Sequence, residues 1–269
     1  MPDLDVPLER IRFGQTSRKD KWWLHPLVWS IFFVIGFTYL GVAIFWPTHY
    51  WADPYLTPLA SPLFYGEGRH AIFGPDKPAW WPQFLPLIPG VFIAPFPALF
   101  RVTCYYYRGG YYKALLADPP ACAVGEPRKS YRGEHKLPLI IMNIHRYGLY
   151  FGIALVVFLT YDALMATRFP VAPGSHETQF GLGFGTLLMI ANVVFIALYT
   201  FSCHSFRHIV GGVLDVFSRS PMRKKAWDCV TCLNKRHGNW AMVSLYTMCS
   251  TDLYIRLCSA GVIHDWRIF

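Results

Sequence analysis

The chain of 269 residues is 54% hydrophobic and 17% aromatic, with 15% charged residues, against roughly 25% charged in an ordinary globular domain. That composition excludes a disordered, collagen-like or small disulfide-scaffold protein, and several uncharged runs are long enough to cross a bilayer. The formal net charge of +9 therefore reads as lysine and arginine held on one side of a membrane, not as a nucleic-acid footprint.

Acidic and basic residues alternate before Trp22-Trp23, and no small-residue cleavage site follows a short apolar core, so no removable signal is expected there. No charge occurs between Lys21 and Asp53, which places a first span at about 27–46. Residues 47–81 are rich in Pro, Trp and Tyr and read as a folded external cap at the headgroup layer. A second span, at about 82–104, carries Pro86, Pro89, Pro95 and Pro97, each of which removes a backbone donor. Further spans follow at about 139–161, 180–203 and 238–263, the last interrupted by Asp252 and Arg256. Lys and Arg number 18 in the N-terminal segment and the connections after spans two and four, and 4 in the remaining connections and tail. The positive-inside rule then predicts a cytoplasmic N-terminus and an external C-terminus. The expected fold is all-α: one polytopic membrane domain over 1–269 with five transmembrane helices and no internal repeat.

Ionisable groups inside spans are functional candidates. Arg101, His145, Arg146, Asp252 and Arg256 qualify, with Asp162 at an outer edge. Asp252 and Arg256 are four apart and can pair on one helix face, either as a structural ion pair or as a proton or quinone contact. The seven cysteines are an odd number and cluster on the predicted cytoplasmic side, which favours thiols or metal ligands over disulfides. Cys104, Cys122, His145, Cys203, His204 and His208 reach the same membrane depth from four separate segments. His204 and His208, at i and i+4, point one way from a helix. A haem b is open to this set, with His145 and either His204 or His208 as axial pair. So is a Rieske-type [2Fe–2S] cluster, which takes two cysteines and two histidines. The outer histidines His49, His70, His176 and His264 lie in loops or at span ends and give little support to a second haem. Cys229 and Cys232, in DCVTC with His237 nearby, read as loop thiols, and Cys249 and Cys258 as packing residues.

TCYYYRGGYYKA, PPACAVGEPR, the run at 131–147 ending NIHRY, YTFSCHSFRHIVGG, NKRHGNW and the D-x-Y of span five resemble the membrane-anchor subunit of bacterial succinate dehydrogenases, in a haem-poor branch. The likeness runs from about Trp22 to the end. It implies an anchor of five helices in the bacterial cell (inner) membrane that docks an iron–sulfur subunit and passes electrons to quinone, while a flavoprotein subunit oxidises succinate. It also implies a membrane-embedded Rieske-type cluster in place of haem, with ligands among the six residues above; Cys104, Cys122, His204 and His208 rank first on geometry.

A quinone site needs an apolar slot and a few donors aimed at the carbonyls. Arg101, Tyr105, Tyr106, Arg108, Arg146 and Tyr147, flanked by Trp22, Trp23 and His25, place it at the cytoplasmic rim, with menaquinone or ubiquinone as substrate and its tail near the prolines of span two. The sequence has no dinucleotide fingerprint and no P-loop, so flavin chemistry is expected on partners and no nucleic acid is expected. A purely structural anchor without its own cofactor, and an unrelated channel or transporter, are the competing readings.

Overall fold

The computed structural model describes residues 12–66, 68–69, 71–128, 133, 135–137, 139–172, 175, 177–212 and 215–269. His70, His176 and most of the 129–138 stretch lie outside these. Helix α1 covers Leu24–Ile44, β1 Trp51–Ala52 and β2 Tyr55–Leu56. Two short helices follow, α2 (Pro89–Ile93) and α3 (Pro95–Val102), then α4 (Tyr105–Arg108), which continues as a π-helical turn over Gly109–Leu115. Helix α5 spans His145–Met165, the hairpin β3 (Arg168–Pro170) and β4 (Thr178–Phe180) precedes α6 (Phe184–Phe201), and α7 (His204–Gly211), α8 (Pro221–Asn234) and α9 (His237–Ser259) complete the chain. The fold is mostly helical, as expected, and strands are confined to two small antiparallel hairpins among the described residues.

Among the described residues three helical segments are long and apolar enough to cross a membrane by length and composition: Leu24–Ile44, Leu139–Met165 and Phe184–Phe201. The other two expected spans differ. Helix α9 has the length, 23 residues, but carries Asp252 and Arg256. The second span is helical only from Pro89 and is interrupted at Ala94. Pro95 and Pro97 have no N–H to give to the preceding turn. Pro89 to Val102 rises about 21 Å, short of the roughly 30 Å hydrocarbon layer.

The core is built where helices touch closely. A Cβ on Gly148 of α5 would lie 2.9 Å from the Phe100 Cα of α3, so the absent side chain lets the two backbones meet. Phe33, Leu40, Phe100, Tyr107, Leu149, Tyr199 and Leu245 join the helices in one buried cluster. Arg256 of α9 donates to Asp252 Oδ2 (2.8 Å) and to the Ala43 and Thr48 carbonyls at 3.0 and 2.9 Å, while the Tyr39 hydroxyl donates to Asp252 Oδ2 at 2.6 Å. The cation thus ties α9 to the last turn of α1 and to the chain just beyond it. This is the structural ion-pair reading of Asp252 and Arg256.

At the hairpin end, Asp265 ties the C-terminal tail to three elements. Its Oδ1 accepts from Gly185 N in the first turn of α6 (3.0 Å) and from the Tyr254 hydroxyl (2.7 Å), and its Oδ2 from the Tyr55 hydroxyl (2.6 Å). Burial and then the bond to Asp265 push the Tyr55 phenol well above its ordinary pKa, so it remains a donor. A carboxylate at a helix N-terminus is favoured by the macrodipole. Asp265→Ala is expected to destabilise the fold by about 2 kcal/mol, the scale of hydrogen bonds to a charged acceptor. A thermal-stability assay of solubilised protein checks this, and an unchanged midpoint would contradict the role.

Candidate functional site

At the opposite end, two helix breaks and two helix starts converge. Cys104 is the extended residue between α3 and α4, and Cys203 the extended residue between α6 and α7. His145 opens α5 and His237 opens α9. Both thiols are 1% exposed and His237 is 2% exposed. The backbone N–H groups of Tyr106 and Tyr107 face the Cys104 sulfur, and those of Ser205 and Phe206 face Cys203.

The four side chains pair crosswise. His145 Nε2 lies 3.2 Å from Cys203 Sγ, and His237 Nε2 lies 3.6 Å from Cys104 Sγ. Each Nδ1 meets the hydroxyl preceding the other thiol: His145 faces Thr103 Oγ1 at 2.9 Å, and His237 faces Ser202 Oγ at 2.7 Å. Those hydroxyls already donate backwards, Thr103 to the Leu99 carbonyl (2.6 Å) and Ser202 to the Tyr199 carbonyl (3.1 Å). Each must therefore accept from its imidazole, which fixes the proton on Nδ1 and turns the Nε2 lone pair toward sulfur. Phe100 stacks on His145 (centroids 4.9 Å apart, planes 8°), and Tyr199 stacks on His237 (5.1 Å, 22°).

Two segments thus do the same work: Phe100-x-x-Thr103-Cys104-x-x-x-Arg108 and Tyr199-x-x-Ser202-Cys203-x-x-x-Arg207. Each stacks its aromatic on one imidazole, accepts that imidazole's Nδ1–H, and presents its thiol to the other. The repeat was legible as [FY]-x-x-[ST]-C-x-x-x-R, but at nine residues it is far shorter than a structural repeat unit.

The ligand ranking from sequence also changes. Cys104, His145 and Cys203 are brought together, and His237, which sequence grouped with Cys229 and Cys232, completes the set. Cys122 is exposed, and its carbonyl accepts from Arg18 at 2.9 Å. His204 and His208 pair with each other on the exposed face of α7, with Nε2 atoms 3.0 Å apart. Burial, and then the charges of His208 and Arg207, lower the His204 pKa. Their i, i+4 spacing points them together but away from the thiols. Cys229 and Cys232 are exposed on α8. Among the described residues, no group of three or more Cys, His, Asp or Glu side chains converges on a single ion.

A cavity of about 780 Å³ opens beside this centre. Its walls include Trp22, His25, Trp29, Tyr105, Tyr106, Arg108, Cys122 and Asn239, with Arg18, Lys113, Lys235 and Arg236 supplying positive charge. The Tyr106 ring meets His237 edge-on at 5.0 Å, and so separates the cavity from the thiol–imidazole centre by one side chain. Of the quinone candidates, Trp22, Tyr105, Tyr106 and Arg108 line this cavity. Trp23, Arg146 and Tyr147 are exposed outside it. Arg101 is buried away from it: its guanidinium donates to the Tyr107 hydroxyl, the Ala241 carbonyl (3.4 Å) and Ser244 Oγ (3.3 Å), and lies 5.0 Å from the Tyr199 ring centroid. No carboxylate pairs with it among the described residues.

A family model of actinobacterial succinate dehydrogenase subunit SdhC matches residues 24–261. Among solved structures, the chain is similar to one from the Mycobacterium smegmatis Sdh1 complex in the apo form, at 37% identity and a TM-score of 0.84, over 97% of this chain and 96% of that one. None of the curated protein sequences matches the chain.

Alkylation of the folded protein, read by peptide mass spectrometry, is expected to leave Cys104 and Cys203 unmodified until denaturant is added. Labelling of Cys104 under native conditions would contradict the burial described.

Proposed function

The chain belongs to the family of actinobacterial succinate dehydrogenase subunit SdhC, and we propose that Cys104, Cys203, His145 and His237 hold a Rieske-type [2Fe–2S] cluster beside a quinone-reducing cavity. As an SdhC-type subunit it is a membrane anchor of the succinate dehydrogenase complex, an oxidoreductase. The finer reading rests on one observation: two buried thiols and two buried-facing imidazoles, all from different helix termini, pair crosswise, with each Nε2 3.2 or 3.6 Å from a sulfur.

The donor set fits the group. A Rieske-type cluster would take two thiolates on one iron and two imidazoles on the other, and the two cysteines and two histidines gathered at this end supply those four donors. A haem b needs two imidazoles across a single iron, whereas both Nε2 atoms here face thiols. The buried Arg101 guanidinium has no carboxylate partner among the described residues and lies 5.0 Å from the Tyr199 ring that stacks on His237. When bound, such a cluster would take up and release single electrons, its imidazole ligands raising the potential above that of an all-cysteine cluster.

The remaining residues have definable work. Thr103 and Ser202 hold the Nδ1 protons and so orient the Nε2 lone pairs. Phe100 and Tyr199 fix the ring planes and exclude water. In the 780 Å³ cavity, Tyr105, Tyr106 and Arg108 supply donors for quinone carbonyls, with Trp22 and Trp29 as apolar walls. The exposed Lys113, Lys235 and Arg236 form the basic face on which an iron–sulfur subunit docks, with the flavoprotein subunit beyond it. Supporting a five-span topology, α1, the α2–α3 pair, α5, α6 and α9 run alternately between the two ends. The 18-to-4 distribution of Lys and Arg then sets the thiol–imidazole end in the cytoplasm and the C-terminus outside, in the bacterial cell (inner) membrane. Menaquinone or ubiquinone is the acceptor.

Purified complex is expected to show iron and acid-labile sulfide above the iron–sulfur subunit's content, a low-average-g EPR signal, and no haem band. Cys104→Ser and His237→Ala should each abolish that signal, while Cys122→Ser and His208→Ala should leave it. Its persistence in the first pair would refute the assignment. A complex that assembles normally without the signal in any form would leave a structural anchor. Ser202→Ala should weaken cluster retention by about 10–100-fold, the usual cost of losing an outer partner of a ligating histidine.

A further inference from the structure

A second, apolar groove of about 560 Å³ runs between α1 and α9 and is floored by α6. Val28, Trp29 and Phe32 form one wall, Met242, Val243 and Tyr246 the other, with Leu188 and Ala191 beneath. The wall helices are held at this spacing by the Tyr246 hydroxyl, which donates to the Phe32 carbonyl at 2.6 Å, and by the edge contact of the two rings at 5.5 Å. The hydroxyls that line it do not make it polar. The Tyr246, Thr247 and Thr251 hydroxyls are spent on backbone, Thr247 on the Val243 carbonyl (3.0 Å) and Thr251 on the Leu188 carbonyl (3.3 Å).

The groove adjoins the basic cavity, and Trp29 and Asn239 line both. Trp29 is fixed at the junction by its indole N–H, which donates to His25 Nε2 at 3.0 Å. From Asn239 to Thr251 the wall of α9 descends about 18 Å at the helical rise, more than half of the roughly 30 Å hydrocarbon layer. By contrast, the space beside Pro97, where the sequence placed the tail, has a volume of about 40 Å³ and is closed by Phe100, Leu159 and Met248. That volume suits about one water molecule.

Building on the quinone reading of the cavity, we propose that the α1/α9 groove binds the polyprenyl tail of the quinone whose ring occupies the cavity. One ligand with a flat polar ring and a long apolar chain matches two adjoining spaces of those characters. The groove therefore sets tail-length specificity. It does so by contributing apolar contact to long-tailed quinones, which a ring with no tail forgoes.

The test compares the intact complex with Thr247→Trp and Ser250→Phe variants, each filling the groove from α9, and with Val42→Trp on an exposed face of α1 outside it. Reduction of a long-tailed quinone is measured beside that of a tailless ring quinone, with the EPR signal as a check on the centre. Filling the groove is expected to lower the long-tailed to tailless ratio of kcat/KM about tenfold, through KM, with the ratio unaltered in Val42→Trp. An unaltered ratio in both groove variants, with the tailless quinone still reduced, overturns the groove assignment and leaves the ring site standing. Loss of a co-purifying phospholipid at unaltered ratio assigns the groove to lipid and also overturns it. Failure of the underlying quinone reading shows itself separately, as a parent complex that reduces neither quinone, and takes the groove with it.

Discussion

Everything at the functional end depends on the crossed pairing of two thiols with two imidazoles. His145 on α5 reaches Cys203 at the α6/α7 break, and His237 on α9 reaches Cys104 at the α3/α4 break. Neither contact can form unless all four helix ends arrive at one depth. A polar cluster buried in an apolar bundle is costly unless every member is satisfied. Here the Nδ1 protons go to Thr103 and Ser202, whose own protons go to helical carbonyls. The chain of donors closes with the two Nε2 lone pairs left facing sulfur, which is the state a ligating histidine needs.

The rest of the bundle can be understood as support for that arrangement. Breaking α3–α4 and α6–α7 at an extended cysteine turns backbone N–H groups toward each sulfur. Gly148 lets α5 approach α3 closely enough for Phe100 to cover His145. Arg101, joined to Tyr107 and to the Ala241 carbonyl and Ser244 of α9, binds that helix to α3 directly behind His237. At the far end, Asp265 gathers α6, α9 and the β2 residue Tyr55, and Arg256 ties α9 to the Ala43 carbonyl in the last turn of α1. These two fixed ends set the axial register of α6 and α9, and with it the height at which Cys203 and His237 meet. The basic cavity follows from the same register, because Gly238, next to His237, packs on the Tyr106 ring that forms its inner wall.

Much was legible without coordinates. Long uncharged runs disclose apolar helices because a bilayer or a packed bundle excludes unpaired charge, and α1, α5 and α6 lie where those runs are. Cys104, His145 and Cys203 were marked by their place at span ends. Hydropathy could not disclose that the second span starts at Pro89, since prolines are as apolar as helix formers. His237 was hidden by Cys229 and Cys232, whose spacing made a local motif of what is a helix start. His204 and Cys122 were grouped with the buried thiols by membrane depth alone, which does not say which way a side chain points. Cys203 is extended and buried before α7 begins, whereas His204 opens that helix on its exposed face.

The sequence by itself determined the class: an apolar, basic, helical chain with charge on alternate connections and a family likeness carried by continuous words. Those properties are local or additive along the chain, so no coordinates are needed to read them. Only the tertiary structure decided which imidazole meets which thiol, that Arg101 is turned inward, and where an apolar groove adjoins the cavity. Each of those depends on rotation and axial register between helices far apart in sequence. Such register is fixed by close packing and by buried hydrogen bonds among many residues at once.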